Sequence, residues 1–373
     1  MDKLKIAAYV QLNRLKNPTG VGKHILNMVE ALQTMGRVDL RVFAANDNRP
    51  RADTAPEAFR LAGLGWGITE LPYSRKLLEM SWLLAGRPSA DRWVGDADWI
   101  YSPTEVAIPT RRCRLAVTSH HLEWIETDLP WSHTMRWERK KWLYRLNRLC
   151  RKADLLLAVS EYLRQRLVET MAVDPARIAV VGNGVEQEYF DVGGLPRAQG
   201  QQPYLLAIGG LTERKGAAII LGAARILADR KAGIQIWVAG TSEHRYRKLA
   251  GSFQNIKHLG YPSLQALPRI LRDATALVFP SRYEMFGIPA VEAMAAGTPP
   301  IVSHWAALPE VVADGGVILE EDSAEALVEV AMRLASDDGY RAALAAKGRA
   351  RAAAFTWDAC ASRLVRAMLA LPT

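Results

Sequence analysis

The chain has 373 residues, 49% of them hydrophobic, with 48 Lys and Arg against 39 Asp and Glu. That length predicts two domains at about 100–200 residues each, and the composition is that of a globular protein with ample core. Three separated cysteines, Cys113, Cys150 and Cys360, form no CxxC pair and no metal spacing, which fits free thiols in a reducing compartment.

The first residues, MDKLKIAAYVQL, run straight into a strand pattern without the apolar run and small-residue cleavage site of a signal peptide. No stretch approaches the roughly 20 apolar residues that span a bilayer. The expectation is a cytoplasmic protein, peripheral at the inner face of the plasma membrane if a basic surface docks there. Positive charge concentrates at 101–152, with eleven Lys and Arg against five Asp and Glu. No zinc-finger spacing or RNA-binding aromatic signature accompanies it, so nucleic acid is not an expected partner. Anionic lipid or an anionic substrate remains.

In chain order, KIAAYV, the helical pattern GVGKHILNMVEALQTMG and LRVFAA give a β-α-β rhythm, the mark of parallel sheets covered by helices. WIYSP, LAVTSHH, LLLAVS and IAVVGNG read as further strands ending in small or polar residues. GGLPRAQGQQP at 193–203 is the best linker. The rhythm then restarts: YLLAIGG, helix AAIILGAARILAD, strand IQIWVAG, a helix, strand ALVFPS, helix PAVEAMAAG, strand PPIVS, and a final helix over roughly 356–371. The predicted architecture is α/β, with two doubly wound Rossmann-like domains facing a central cleft. The predicted divisions are 1–195, 200–355, and a terminal helix at 356–373 packing back across the first domain. In such sheets ligands bind at the carboxyl ends of strands.

Two segments carry chemistry on that edge. In GGLTERKG, Arg214 and Lys215 follow a strand and precede a helix, a forked donor and a point charge within reach of a diphosphate. In EMFGIPAVE, Pro289 suits the first turn of a helix. The N–H groups of a helix start attract anions. Glu284 and Glu292 flank that start, and carboxylates accept hydrogen bonds from hydroxyls. An anion flanked by hydroxyls describes a nucleotide sugar. The alternative is that acids simply favour helix N-termini. The turn PTGVGKH, with Gly20 and Gly22, lets backbone approach a ligand closely or is only a tight turn. DAD at 96–98 has the look of a metal motif but leads into the strand WIYSP and reads as structural. In 131–154, Trp142, Leu143, Leu146, Leu149 and Cys150 fall at helical spacing and predict one buried face. Arg136, Arg139, Lys140, Lys141, Arg145 and Arg148 spread over the rest. This is either a solvated helix or a dock for an anionic membrane surface.

These segments together resemble the GT-B glycosyltransferases of the family-four (glycosyl transferases group 1) type, nearly end to end. GGLTERKG resembles the family's diphosphate loop, and SRYEMFGIPAVEAMAAGTPPIVS its Glu-x7-Glu signature. ADLLLAVSEYLRQRL and IAVVGNGVE resemble the end of its N-terminal domain, and HLGYPSLQALPRIL its base-binding segment. The resemblance implies a retaining hexosyltransferase using a nucleotide-sugar donor such as GDP-mannose or a UDP-hexose, and a glycan or lipid-linked acceptor. It implies no cofactor and no metal. It also implies roles. Glu292 binds ribose hydroxyls, Glu284 the donor sugar or its developing charge, and Arg214 and Lys215 the leaving diphosphate. Backbone around Met285, Phe286, Gly287 and Ile288 completes that site, with Gly20 and Gly22 near donor and acceptor. Tyr261 neighbours the base, with core packing as the alternative. His120 matches a strand-end histidine near the reacting sugar.

Three positions depart from the pattern. His121 stands where Asp is common, so no carboxylate is in place there to orient His120. Met285 replaces a frequent glycine, and it is strained if that position needs φ > 0. Pro262 has no N–H to offer a base. A nicotinamide dehydrogenase fits poorly, because GVGKHI lacks the third glycine of the dinucleotide fingerprint. A GT-B-fold sugar-nucleotide epimerase and a non-catalytic sugar-nucleotide or membrane-binding module remain alternatives.

Overall fold

A computed structural model describes residues 3–11, 14, 20–46, 67–123, 136–198 and 200–371. The chain forms two compact units: Met1–Gly184 with Trp357–Thr373, and Val185–Thr356.

The first unit holds seven strands, β1 (Leu4–Tyr9), β2 (Val38–Ala45), β3 (Ile68–Leu71), β4 (Trp99–Ser102), β5 (Arg114–Ser119), β6 (Leu155–Ala158) and β7 (Ile178–Val180). Their order is β3-β2-β1-β4-β5-β6-β7, and every pairing is parallel. The second unit holds β8 (Tyr204–Ile208), β9 (Gln235–Ala239), β10 (Ile256–Gly260), β11 (Ala276–Phe279), β12 (Pro300–Ser303) and β13 (Val317–Leu319). Their order is β10-β9-β8-β11-β12-β13, again parallel throughout. Parallel sheets bury both faces, so interior strands are continuous apolar runs. LLLA of β6 and ALVF of β11 are buried at every position.

In the first unit, helix Gly20–Thr34 and helix Trp357–Ala370 share one core. Ile25, Met28, Val29 and Leu32 meet Leu364, Val365 and Met368 there. In the second, helix Ala217–Asp229 packs with helix Ala324–Ser336 through Ile220, Leu227, Leu327 and Leu334.

The boundary falls earlier than the Gly- and Gln-rich stretch at 193–203 predicts. Helix Gln187–Gly193 already belongs to the second unit. The stretch after it is pinned there: Arg272 donates to Leu195 O at 2.8 Å, and Ala198 N donates to Asp273 Oδ1 at 2.9 Å. The last helix is not an appendage. It supplies core to the first unit.

Each strand order reverses once, between β1 and β4 and between β8 and β11. Ligands of open α/β sheets bind outside the carboxyl ends of the strands at such points.

Candidate active site

The reversal in the second unit brings together the loops after β8 and β11. Gly216, with φ 72°, turns the first loop into its helix; a Cβ there would lie 2.3 Å from Pro280 O in the second loop. That close approach places Arg214 and Lys215 beside Ser281 and Glu284. Three donors converge on Glu284 Oε1: Arg214 Nη1 at 2.9 Å, Lys215 Nζ at 2.6 Å and Ser281 Oγ at 2.8 Å. Arg214 also donates to Tyr283 O at 2.9 Å, and Lys215 Nζ lies 4.4 Å from the Phe279 ring centre, a cation–π distance. Burial would raise the Glu284 carboxyl, but Lys215 and Arg214 outweigh it and hold it below its ordinary 4.5. Two cations against one carboxylate leave the cluster net positive, as an anion site requires.

Beside it, Gly287 (φ 95°) opens helix Ile288–Ala295, with Pro289 in the first turn. Positive φ is thus carried by Gly287. Met285 lies outside that region, so the strain considered for it does not arise. Met285 and Phe286 are buried, and Phe286 meets Phe355 edge-on at 5.5 Å; Ile288 is half-buried. Glu292 is only 3% exposed. Tyr189 donates its hydroxyl to that carboxylate, and burial together with Glu292 pushes the phenol well above its ordinary 10. The Glu292 carboxylate is thus already held by Tyr189. Tyr261 does not pack in the core. It is 80% exposed, and its hydroxyl is 2.8 Å from Thr241 Oγ1, in the loop after β9.

In the first unit, His120 follows β5 and is buried. Its Nε2 faces Pro103 O at 2.8 Å. A carbonyl only accepts, so Nε2 carries the proton and Nδ1 is the ring's acceptor. Burial keeps its pKa below 6.5. The carboxylate missing at position 121 comes from elsewhere: Glu105, after β4, accepts from His120 N at 2.6 Å and lies 3.9 Å from His121 Nδ1.

The PTGVGKH segment is not a loop throughout, since Gly20 and the buried Gly22 lie in the first turn of helix Gly20–Thr34. That helix presents His24, whose ring meets the His120 ring edge-on at 4.6 Å. His24 Nδ1 pairs with Asn183 Oδ1 at 2.8 Å, and Nε2 with Tyr101 OH at 3.0 Å. Burial, then His120, pushes His24 well below 6.5.

DAD is occupied by structure: Asp98 accepts from Lys5 N at 3.0 Å, and Asp96 pairs with Lys5 and with Arg41. Among the described residues no group of three or more His, Cys, Asp or Glu is placed to hold a metal ion.

Sequence reasoning missed Ser281, Glu105, His24 and Tyr189. Ser281 and His24 lie inside quoted segments (SRYEMFG, PTGVGKH) and Glu105 two residues beyond WIYSP, and only their partners reveal them.

Two parallel Rossmann-like sheets, with a cationic cluster and a helix start at the reversal of the second, are the elements of a GT-B fold. The family model for glycosyl transferases group 1 matches residues 196–351, and that for Glycosyltransferase Family 4 matches residues 18–189. The chain belongs to the group 1, family-four type of glycosyltransferases. It is 25% identical to O-antigen chain mannosyltransferase B of Escherichia coli over 375 residues, covering 94% of this chain and 95% of that one. The fold is similar to sucrose-phosphate synthase from Thermosynechococcus elongatus, with TM-score 0.73, 20% identity, and coverage of 99% of this chain and 100% of that one. It is likewise similar to HepE of Anabaena in complex with UDP and glucose, with TM-score 0.72, 18% identity, and coverage of 99% and 100%.

Proposed function

We propose that the chain moves a hexose of the mannose or glucose type from a nucleoside-diphosphate sugar to a glycan or lipid-linked acceptor, retaining the anomeric configuration. The observation that carries this reading is the meeting of Arg214, Lys215 and Ser281 on Glu284, beside the Gly287-led helix start. A nucleoside diphosphate leaves well once its charge is neutralised. Fixed cations and helix-start amides supply that neutralisation without reorganising during the reaction. Arg214 and Lys215 take the diphosphate, and Glu284 turns to the hexose hydroxyls or its developing positive charge. Glu292 with Tyr189 reads the pentose, and Tyr261 offers a face to the base. His120, neutral at pH 7, presents Nδ1 as an acceptor to a sugar hydroxyl. Retention has the acceptor attack from the leaving-group side, where a departing phosphate oxygen takes its proton. No metal has a part in this scheme, because the two cations fill the role a divalent ion would have. The O-antigen relative supports a setting in bacterial surface polysaccharide synthesis.

The reading extends to an anionic membrane surface as partner. In helix Arg136–Lys152, Leu146, Leu149 and Cys150 are buried, but Leu143, predicted to join them, is 38% exposed. Trp137 and Tyr144 are exposed as well, so aromatic groups stand among the cations on the outer side, as interfacial helices require.

The test is incubation of the full chain with radiolabelled GDP-mannose, UDP-glucose and related donors, with glycan and lipid-linked acceptors, with and without EDTA. Labelled glycoside in both conditions supports the reading. Conversion of the donor without acceptor makes it an epimerase, and binding without turnover makes it a binding module.

A further inference from the structure

The strand reversal of the first unit holds a polar cavity of about 150 Å³. It is bounded by residues after β1, residues after β4, helix Arg75–Leu84 and helix Arg136–Lys152. A liquid water occupies about 30 Å³, so this space exceeds one bridging water and suits a single sugar residue.

Its carboxylates are already answered. Glu79 receives Arg75 at 3.2 Å, Gln11 Nε2 at 2.6 Å and Tyr9 OH at 3.2 Å. Glu105 receives His120 N and faces His121. Two of its cations are not answered in kind. Arg14 donates to the Gln11 amide oxygen at 2.9 Å, and Arg145 lies 5.3 Å over the Trp142 ring. Among the described residues neither has a carboxylate partner.

The second observation is Thr104. It is 2% exposed, it lines the cavity, and its hydroxyl has no hydrogen-bond partner among the described residues. Buried polar groups are nearly always paired, and one left unpaired in a cavity wall is completed by a ligand or water. Gln11, also buried, lines the same wall.

We propose that this cavity takes a sugar residue of the acceptor that bears an oxyanion, either a phosphate or a carboxylate, with Arg14 and Arg145 on the charge and Thr104 and Gln11 on hydroxyls. The inference rests on the glycosyltransferase reading and supplies the acceptor chemistry that reading leaves open. Arginine is suited to both anions, because its fork matches either planar carboxylate or phosphate oxygens.

The test is ligand-observed NMR titration of the full chain with mannose 6-phosphate, glucuronate and neutral mannose. The expected result is that at least one charged probe binds about tenfold more tightly than mannose, the ratio one charge-assisted hydrogen bond supplies. The phosphate and carboxylate arms then say which anion the site prefers. The double variant Arg14→Gln with Arg145→Gln abolishes that preference, and Thr104→Val weakens every probe that binds. GDP and UDP titrated into the same proteins keep their wild-type affinity, and unchanged thermal melts and near-UV circular dichroism report that the first unit of each variant is folded. Mannose binding as tightly as the charged probes, or a preference that survives the double variant, overturns the inference. If nucleoside diphosphates bind while charged sugars do not, only this inference falls. If nucleoside diphosphates fail as well, the transferase reading falls with it.

Discussion

The proposed reaction gives Lys215 and Glu292 different steps. In the proposed reaction Lys215 faces the leaving phosphate, where charge grows in the transition state, so Lys215→Ala is expected to lower kcat about 100-fold while changing donor affinity much less. Glu292 is proposed to act on the bound pentose, so Glu292→Ala is expected to weaken donor binding about tenfold, and to lower the Tm because the Tyr189 hydroxyl loses its acceptor. Steady-state kinetics with donor titration separate the two, and unchanged values in both variants refute the assignment. His24 makes a prediction about pH. Folded, its imidazole stays neutral well below 6.5; unfolded, it titrates near that value. As pH falls through 6.5 the unfolded chain takes up a proton that the folded chain refuses. Its stabilising effect is complete above 6.5 and is lost toward the lower folded pKa, at about 1.4 kcal/mol per pH unit. Thermal melts between pH 7 and pH 5 should therefore fall more steeply in the native chain than in His24→Gln.

Among the elements, the start of helix Ile288–Ala295 depends on Gly287. Its φ is 95°, and a Cβ would lie 2.6 Å from Leu308 Cδ2, so Gly287→Ala is expected to cost about 1–3 kcal/mol and to lower the Tm. Met285→Gly should bring no gain in Tm, because Met285 is not in the left-handed region. The two melts together check where the turn stores its strain. The interior strands were legible because burial on both faces writes them as unbroken apolar runs. The strands that escaped, ITEL of β3, IKHLG of β10 and VIL of β13, are all edge strands, and each is partly exposed. An edge strand has one neighbour and less to bury, so its sequence carries less signal. The loops after β8 and β11 were legible because glycine, proline and charge coincide in a few residues. The His24–Asn183 pair was not, because its members stand 159 positions apart and neither has a distinctive local context.

At the scale of the molecule, the formal charge is +9, and the outer side of helix Arg136–Lys152 adds aromatic groups to its share of it. Binding to anionic vesicles, and not to neutral ones, is the expected outcome of co-sedimentation at low salt. Salt should weaken it as the Debye length shrinks to about 8 Å at physiological ionic strength. The double variant Lys140→Glu with Lys141→Glu should abolish it. Equal pelleting with both lipid types would remove the membrane from the account.

The chain leaves the first unit after Gly184 and re-enters it at Trp357, and Val185 and Thr356 bridge side by side at the crossing, with Val185 N donating to Phe355 O at 2.8 Å. During translation the Val185–Thr356 segment emerges whole, while the sheet made before it waits for Cys360, Leu364, Val365 and Met368 to close its core. The half synthesised first is therefore the half completed last. A chain truncated ahead of Cys360 would carry a finished second unit on an unfinished first one.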